Sequence, residues 1–257
     1  MRLDLYLFQN AYAKSRQRAK CLIEDGNVTV DGTIITKPSY DIDDALEHSI
    51  KIENDCPYVS RGGLKLEKIL SVIGINVNDK VCLDIGASTG GFTHCLLLNG
   101  AKKVYAVDSG SDQLDPTLRE NERVVSIENY NARNISSEII DDEIDIITID
   151  VSFISQNLIL PNASKLLNEN GIYLSLIKPQ FEVGKSNVGK GGIVKDKKAR
   201  LMAVNSVVEC AKQHSLICNT FIKSPIQGGD GNIEYLACFS QHGVPVSEAY
   251  IKKIVFE

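Results

Sequence analysis

The chain has 257 residues, 43% of them hydrophobic and 24% charged, with a formal net charge of −5. That length suits one large domain plus a small one, and the balance is that of a globular protein with a buried core. Seven scattered cysteines without a C-x-x-C pair and four histidines without ligand spacing exclude a disulfide scaffold or zinc site, and no apolar run nears the roughly 18–20 residues that span a bilayer. No metal and no membrane are therefore expected, and the localisation expected is cytoplasmic. The N-terminus shows no signal-peptide pattern.

Residues 1–55 read as a separate small domain. Arg2-Leu3-Asp4 opens a short helix, and a second starts near Ser15, a candidate N-cap, with Ala19, Leu22 and Ile23 on its inner face. Lys14, Arg16, Arg18 and Lys20 cluster within two turns, a pattern that fits a solvated helix face or a phosphate-binding one. Gly26 ends this helix, and Val28–Val30 runs into Asp31-Gly32, a hairpin signal. Residues 56–59 read as a linker around Pro57.

The large domain, residues 60–257, begins with Ser60-Arg61-Gly62-Gly63-Leu64-Lys65 leading into a helix. Then comes Val-Cys-Leu-Asp84-Ile-Gly86-Ala87-Ser88-Thr89-Gly90-Gly91-Phe92, an apolar strand that breaks into a glycine turn and a helix start. Such a turn lets a ligand approach backbone N–H groups. Asp108 ends the next apolar stretch, about twenty residues on, where an acid accepts hydrogen bonds from a ribose diol. The pair points to a nucleoside-bearing cofactor on a Rossmann-like sheet. Gly86 to Gly90 also fits G-x-S-x-G, the nucleophile elbow of a serine hydrolase with Ser88 as nucleophile.

Further strands are expected at 124–127, 144–150 and 171–177, with a helix over 153–167 between the last two. The run I-D-I-I-T-I-D places Asp150 at the carboxyl end of a central parallel strand, and Lys178 stands at the end of the following one. A glycine- and lysine-rich loop follows over 183–196. Its Gly184–Lys190 nearly matches a P-loop, but Gly191 stands where the magnesium-binding hydroxyl belongs. A mobile basic loop able to fold over RNA phosphates is the expectation. A helix over 197–213 and an antiparallel pair, 216–223 and 233–239, close the chain, with Glu234 starting the last strand as an exposed edge charge.

Two resemblances follow. The run R-L-D, S-R-x-x-A, G-x-V-x-V and D-G resembles the S4 RNA-binding domain. The stretches S-R-G-G-x-K-L, L-D-I-G-A-S-T-G-G-F, D-V-S-F-I-S, K-P-Q-F-E-V-G and G-N-I-E-Y, in that order, resemble the TlyA family, often labelled haemolysin A, which joins an S4 domain to an FtsJ-like methyltransferase domain. The resemblance implies an α/β, Rossmann-like S-adenosylmethionine-dependent methyltransferase domain, with a mostly parallel seven-stranded sheet, behind a small α+β S4-like domain. It implies 2′-O-methylation of cytidine ribose in large-subunit ribosomal RNA, in some members also the small subunit, with ribosomal subunits as partners. Lys65, Asp150, Lys178 and Glu234 correspond to the family's catalytic tetrad. Asp84, Gly86, Ala87, Ser88, Thr89, Gly90, Gly91, Phe92, Asp108 and Asn131 are the expected cofactor residues. Arg2, Lys14, Arg16, Arg18, Lys20, Arg61, Lys185 and Lys190 are the expected RNA contacts. A monomer is expected, and the family label leaves a haemolysin as a further alternative.

Overall fold

The computed structural model describes residues 1–13, 16–24, 26–52, 56–228 and 231–257, with Gln17 by its backbone alone. It divides into two compact units, Met1–Arg61 and Gly62–Glu257.

In the first unit, α1 (Leu3–Gln9) and α2 (Arg16–Glu24) precede a three-stranded antiparallel sheet of β1 (Val28–Val30), β2 (Thr33–Ile34) and β3 (Ile50–Ile52), in the order β2-β1-β3. Asp31 and Gly32 both have positive φ, which makes the two-residue turn that pairs Val30 with Thr33. Leu3, Leu7, Ala19, Leu22, Ile23 and Val28 bury one small core. The Arg18 guanidinium donates to the carbonyls of Cys56 and Tyr58 at 2.9 and 3.0 Å, so residues read as a linker are held within this unit. Lys14 and Ser15 lie outside the described residues.

The second unit contains α3 (Gly62–Ile73), β4 (Val81–Ile85), α4 (Gly91–Leu98), β5 (Lys103–Val107), α5 (Pro116–Arg119), β6 (Val124–Ile127), β7 (Ile144–Ile149), α6 (Leu160–Ala163), β8 (Leu167–Ile177), α7 (Pro179–Glu182), α8 (Lys197–Gln213), β9 (Ile217–Lys223), β10 (Tyr235–Ser240) and α9 (Glu248–Phe256). Its seven strands lie in the order β6-β5-β4-β7-β8-β10-β9. Strands β4 to β8 run parallel, and β10 is antiparallel to both β8 and β9. The strand order reverses between β4 and β7, and such a switch point opens a crevice at the strands' carboxyl ends. At the opposite end, Asp145 on β7 accepts the Val81 N–H at 2.9 Å, Lys80 Nζ at 3.1 Å and Asn168 Nδ2 at 3.0 Å, which ties β4, β7 and β8 together.

Two expectations need correction. No single helix spans 153–167. Phe153 sits at φ 64, and a 3-10 turn at Gln156–Leu158, the short α6 and a second 3-10 turn at Ser164–Leu166 follow. The left-handed residue breaks the helical path at its start, and Pro161, lacking an N–H, can only begin a new one. The last strand is also no sheet edge: β10 inserts between β8 and β9, which leaves Glu234 only 3% exposed.

Candidate active site

Four connections converge at the carboxyl end of the parallel strands. A cavity of about 380 Å³ is lined by Gly86 after β4, Asp108, Ser109, Gly110 and Gln113 after β5, Tyr130, Asn131 and Ala132 after β6, and Asp150 to Ile154 after β7. Gly86 has φ +82, and a Cβ there would lie 2.4 Å from the Asp150 carbonyl oxygen, so only glycine fits between the two turns. Asp108 is held from both sides: Ser88 N–H donates to Oδ2 at 2.8 Å and Gly110 N–H to Oδ1 at 2.7 Å. Each oxygen keeps a lone pair for a ligand hydroxyl. Glu128 shapes the wall between them by accepting the backbone N–H groups of Asp112, Gln113 and Leu114.

Of the ten expected cofactor residues, Gly86, Ser88, Asp108 and Asn131 line the cavity. Asn131 also accepts the Arg133 N–H at 3.1 Å, which caps a 3-10 turn. Ala87, Gly90, Gly91 and Phe92 are buried in the turn and the start of α4, and Thr89 is half-buried beside them. Asp84 lies beneath the turn with both oxygens taken, by Thr93 Oγ1 at 2.7 Å and Thr148 Oγ1 at 3.0 Å. Ser109, Gly110, Gln113, Tyr130, Ser152, Phe153, Ile154 and Ile159 were not among the expected residues. They sit on irregular loops that periodicity does not mark, although Ser152, Phe153 and Ile154 fall within the D-V-S-F-I-S stretch of the family resemblance.

Burial pushes the Asp84 carboxyl up to about 6, against the two threonine hydroxyls and with help from nearby Asp150. The folded protein therefore keeps this proton longer than the unfolded chain, and stability falls as pH rises from about 4 to about 6. Asp84→Asn is expected to flatten that decline and to raise stability at pH 7.5 by up to about 3 kcal/mol. Thermal unfolding across this pH range checks it, and an undiminished decline in the variant contradicts it.

Beside the cavity stand two lysine–carboxylate pairs. Lys178, just past β8, meets Asp150 Oδ1 at 2.5 Å and donates to Ser152 Oγ at 3.0 Å. Lys65, buried on α3, donates to Glu234 Oε2 at 2.6 Å. Tyr235 pairs with Ile177 across the antiparallel ladder, so the register carries Glu234 opposite Lys178. Asp150 belongs to both the cavity wall and the Lys178 pair. Phe153, 93% exposed, presents its ring at the rim, 5.2 Å from that of Phe181.

The basic residues divide. In the first unit, buried Asp4 accepts Arg2 Nε at 2.9 Å and Arg16 Nε at 3.0 Å, which leaves both guanidinia about half exposed and fixed in direction. Arg18 is committed to the backbone carbonyls described above and does not face outward as a free phosphate contact; Lys20 and Arg61 are half-buried. Lys185 and Lys190 are exposed on two 3-10 turns. The far end of their loop is tied to Asn232. Val194 N–H donates to Asn232 Oδ1 at 3.0 Å, and Asn232 Nδ2 donates to the Gly192 carbonyl at 2.9 Å.

Comparison with known proteins agrees with this geometry. Residues 58–241 match the model of the FtsJ-like methyltransferase family, and residues 1–46 that of the S4 domain. The chain is 47% identical to Hemolysin A of Brachyspira hyodysenteriae over 93% of its own length and 99% of the relative's. It is 39% identical to the 16S/23S rRNA (cytidine-2′-O)-methyltransferase TlyA of Mycobacterium tuberculosis, over 91% and 87%. A solved structure from Streptococcus thermophilus that carries the hemolysin name superposes with a TM-score of 0.79 at 40% identity, covering 100% of this chain and 94% of that one. Among the described residues no helix is long and apolar enough to cross a membrane.

Proposed function

Because the chain belongs to the FtsJ-like methyltransferase family and carries an S4 domain at its N-terminus, we propose that it transfers a methyl group from S-adenosylmethionine to the 2′-oxygen of a cytidine ribose in large-subunit ribosomal RNA. The observation that carries this reading is Asp150, shared between a glycine-floored cavity and a lysine ion pair.

The cavity suits the cofactor. Gly86 admits close backbone approach, Asp108 is aimed to take a ribose diol, and Ala132, Ile154 and Ile159 offer apolar wall to an adenine ring beside Asn131. S-adenosylmethionine, when bound, supplies a methyl already activated on sulfur, with a leaving group that departs neutral. What remains for the protein is in-line positioning and removal of the hydroxyl proton. Lys178 Nζ accepts that proton as the ribose oxygen takes the methyl. Asp150 and Ser152 aim it, while Lys65 is held by Glu234.

RNA phosphates meet Arg2 and Arg16 on their Asp4 support, together with Lys20, Arg61, Lys185 and Lys190. Each phosphate contact contributes about one unit to the slope of log affinity against log salt. Arg16→Gln is accordingly expected to lower that slope by about one while Arg2 still holds Asp4. Filter binding to ribosomal RNA from 50 to 200 mM salt reads it, and an unchanged slope removes Arg16 from the interface.

The reading itself is tested by incubating the purified protein with methyl-labelled S-adenosylmethionine and separate ribosomal subunits. Label is expected in large-subunit RNA. Label in small-subunit RNA alone would overturn the subunit assignment. Absence of label combined with reaction of Ser88 with a fluorophosphonate would favour a hydrolase.

A further inference from the structure

Glu182 closes α7 shortly after Lys178, and the reading above leaves it unused. Its Oε2 accepts from Ser155 Oγ at 2.5 Å, and its Oε1 from the Gln156 backbone N–H at 3.0 Å. Both donors lie on the segment that follows β7. That segment carries Ser152, whose hydroxyl takes the Lys178 hydrogen bond, and Val151 to Ile154 of the cavity wall.

Gln156 extends the tie into the sheet. Ser175 Oγ donates to its Oε1 at 2.5 Å, and its Nε2 donates to the Leu176 carbonyl at 3.4 Å. The segment's other end is fixed where Asp150 N–H donates to the Ile85 carbonyl at 2.9 Å. Between these anchors Phe153 stands at φ 64, a conformation that a bulky residue holds only when its surroundings impose it. Burial raises the Glu182 carboxyl above its ordinary range, in spite of the hydrogen bonds from Ser155 and Gln156. An apolar residue here would avoid that desolvation cost, so the carboxylate is there for the two donors it holds.

We propose that Glu182 is a positioning residue for methyl transfer: it locks residues 151–156 against α7 so that Asp150 and Ser152 meet the Lys178 amine in a single arrangement. The lock joins the cavity wall to the end of β8, so one carboxylate sets two parts of the site. This inference rests on the methyltransferase reading above.

The test compares Glu182→Ala and Glu182→Gln with the parent protein in methyl transfer, S-adenosylmethionine binding and amide hydrogen exchange. Misplacement of a reacting group by about 1 Å can cost about 100-fold, so kcat of Glu182→Ala is expected to fall by about that factor. The cofactor dissociation constant should change far less, and amides 152–156 should exchange faster. Glu182→Gln keeps an acceptor for the Gln156 N–H and is expected to recover kcat to within about tenfold. Parental kcat in Glu182→Ala overturns the proposal, as does a loss of cofactor affinity as large as the loss of rate. If Glu182→Ala does not fold, Ser155→Ala removes one donor and leaves the carboxylate, and unchanged kcat in that variant is equally fatal. If the parent transfers no methyl to any RNA, the reaction assignment has failed; the exchange comparison then decides the lock alone, and equal exchange rules it out.

Discussion

Lys178→Ala is expected to lower methyl transfer about 1000-fold, within the span that a positioned general base contributes, while S-adenosylmethionine binds nearly as before. The expectation follows from where the amine stands. It is held at 2.5 Å from Asp150 and at 3.0 Å from Ser152, and the cavity lining includes both of those residues but not Lys178. On the proposed mechanism, removing the amine takes away the proton acceptor and spares the wall. Calorimetric titration with the cofactor and single-turnover transfer to RNA, run on the same preparation, separate the two effects. A variant that still turns over at the parental rate would remove Lys178 from the chemistry.

The second large effect falls on Glu234. Its partner Lys65 is buried, and taking one member from a buried pair strands the other charge at a cost of about 3–5 kcal/mol. Glu234→Ala is expected to show that loss in chemical denaturation together with loss of activity, so on its own it cannot tell support from chemistry. Lys65→Met combined with Glu234→Met removes both charges and leaves unbranched side chains to fill the space. The double variant should recover most of the stability, to within about 1 kcal/mol of the parent, and remain inactive. A double variant that is both stable and active would reduce the pair to a structural ion pair.

Residue pattern places Asp150 and Lys178 at the carboxyl ends of strands, while grouping them with Lys65 and Glu234 comes from the family resemblance. Asp150 and Lys178 close apolar runs, Lys65 opens a helix, and Glu234 precedes the last strand. The glycine turn was legible from residue pattern as well, as a break between a strand and a helix.

Tertiary arrangement decided the rest. Glu234 reads as an edge charge in isolation, since the pairing of β9 with β10 is legible in the sequence but the insertion of β10 against β8 is not. Arg18 belongs to a basic helix that looks uniform in sequence. Only the fold shows its guanidinium turned to the carbonyls of Cys56 and Tyr58 while Arg16 turns to Asp4. Asp84 sits inside the glycine motif and is nevertheless sequestered by Thr93 and Thr148, the second of which comes from a different strand. The segment 153–166 is apolar enough to suggest a helix, but a left-handed Phe153 and Pro161 divide it into short turns. That division lets Ser155 and Gln156 reach Glu182.

The most direct test of the central claim is the chemical position of the transferred methyl. Ribosomal RNA labelled by the protein from methyl-labelled S-adenosylmethionine is hydrolysed in alkali and the fragments are sized. A methyl on the 2′-oxygen blocks cleavage at its own nucleotide, so the account predicts label in alkali-resistant dinucleotides that begin with cytidine. Label recovered in mononucleotides would mean methylation of a base, and would contradict the assignment of Lys178 as the acceptor of a ribose proton.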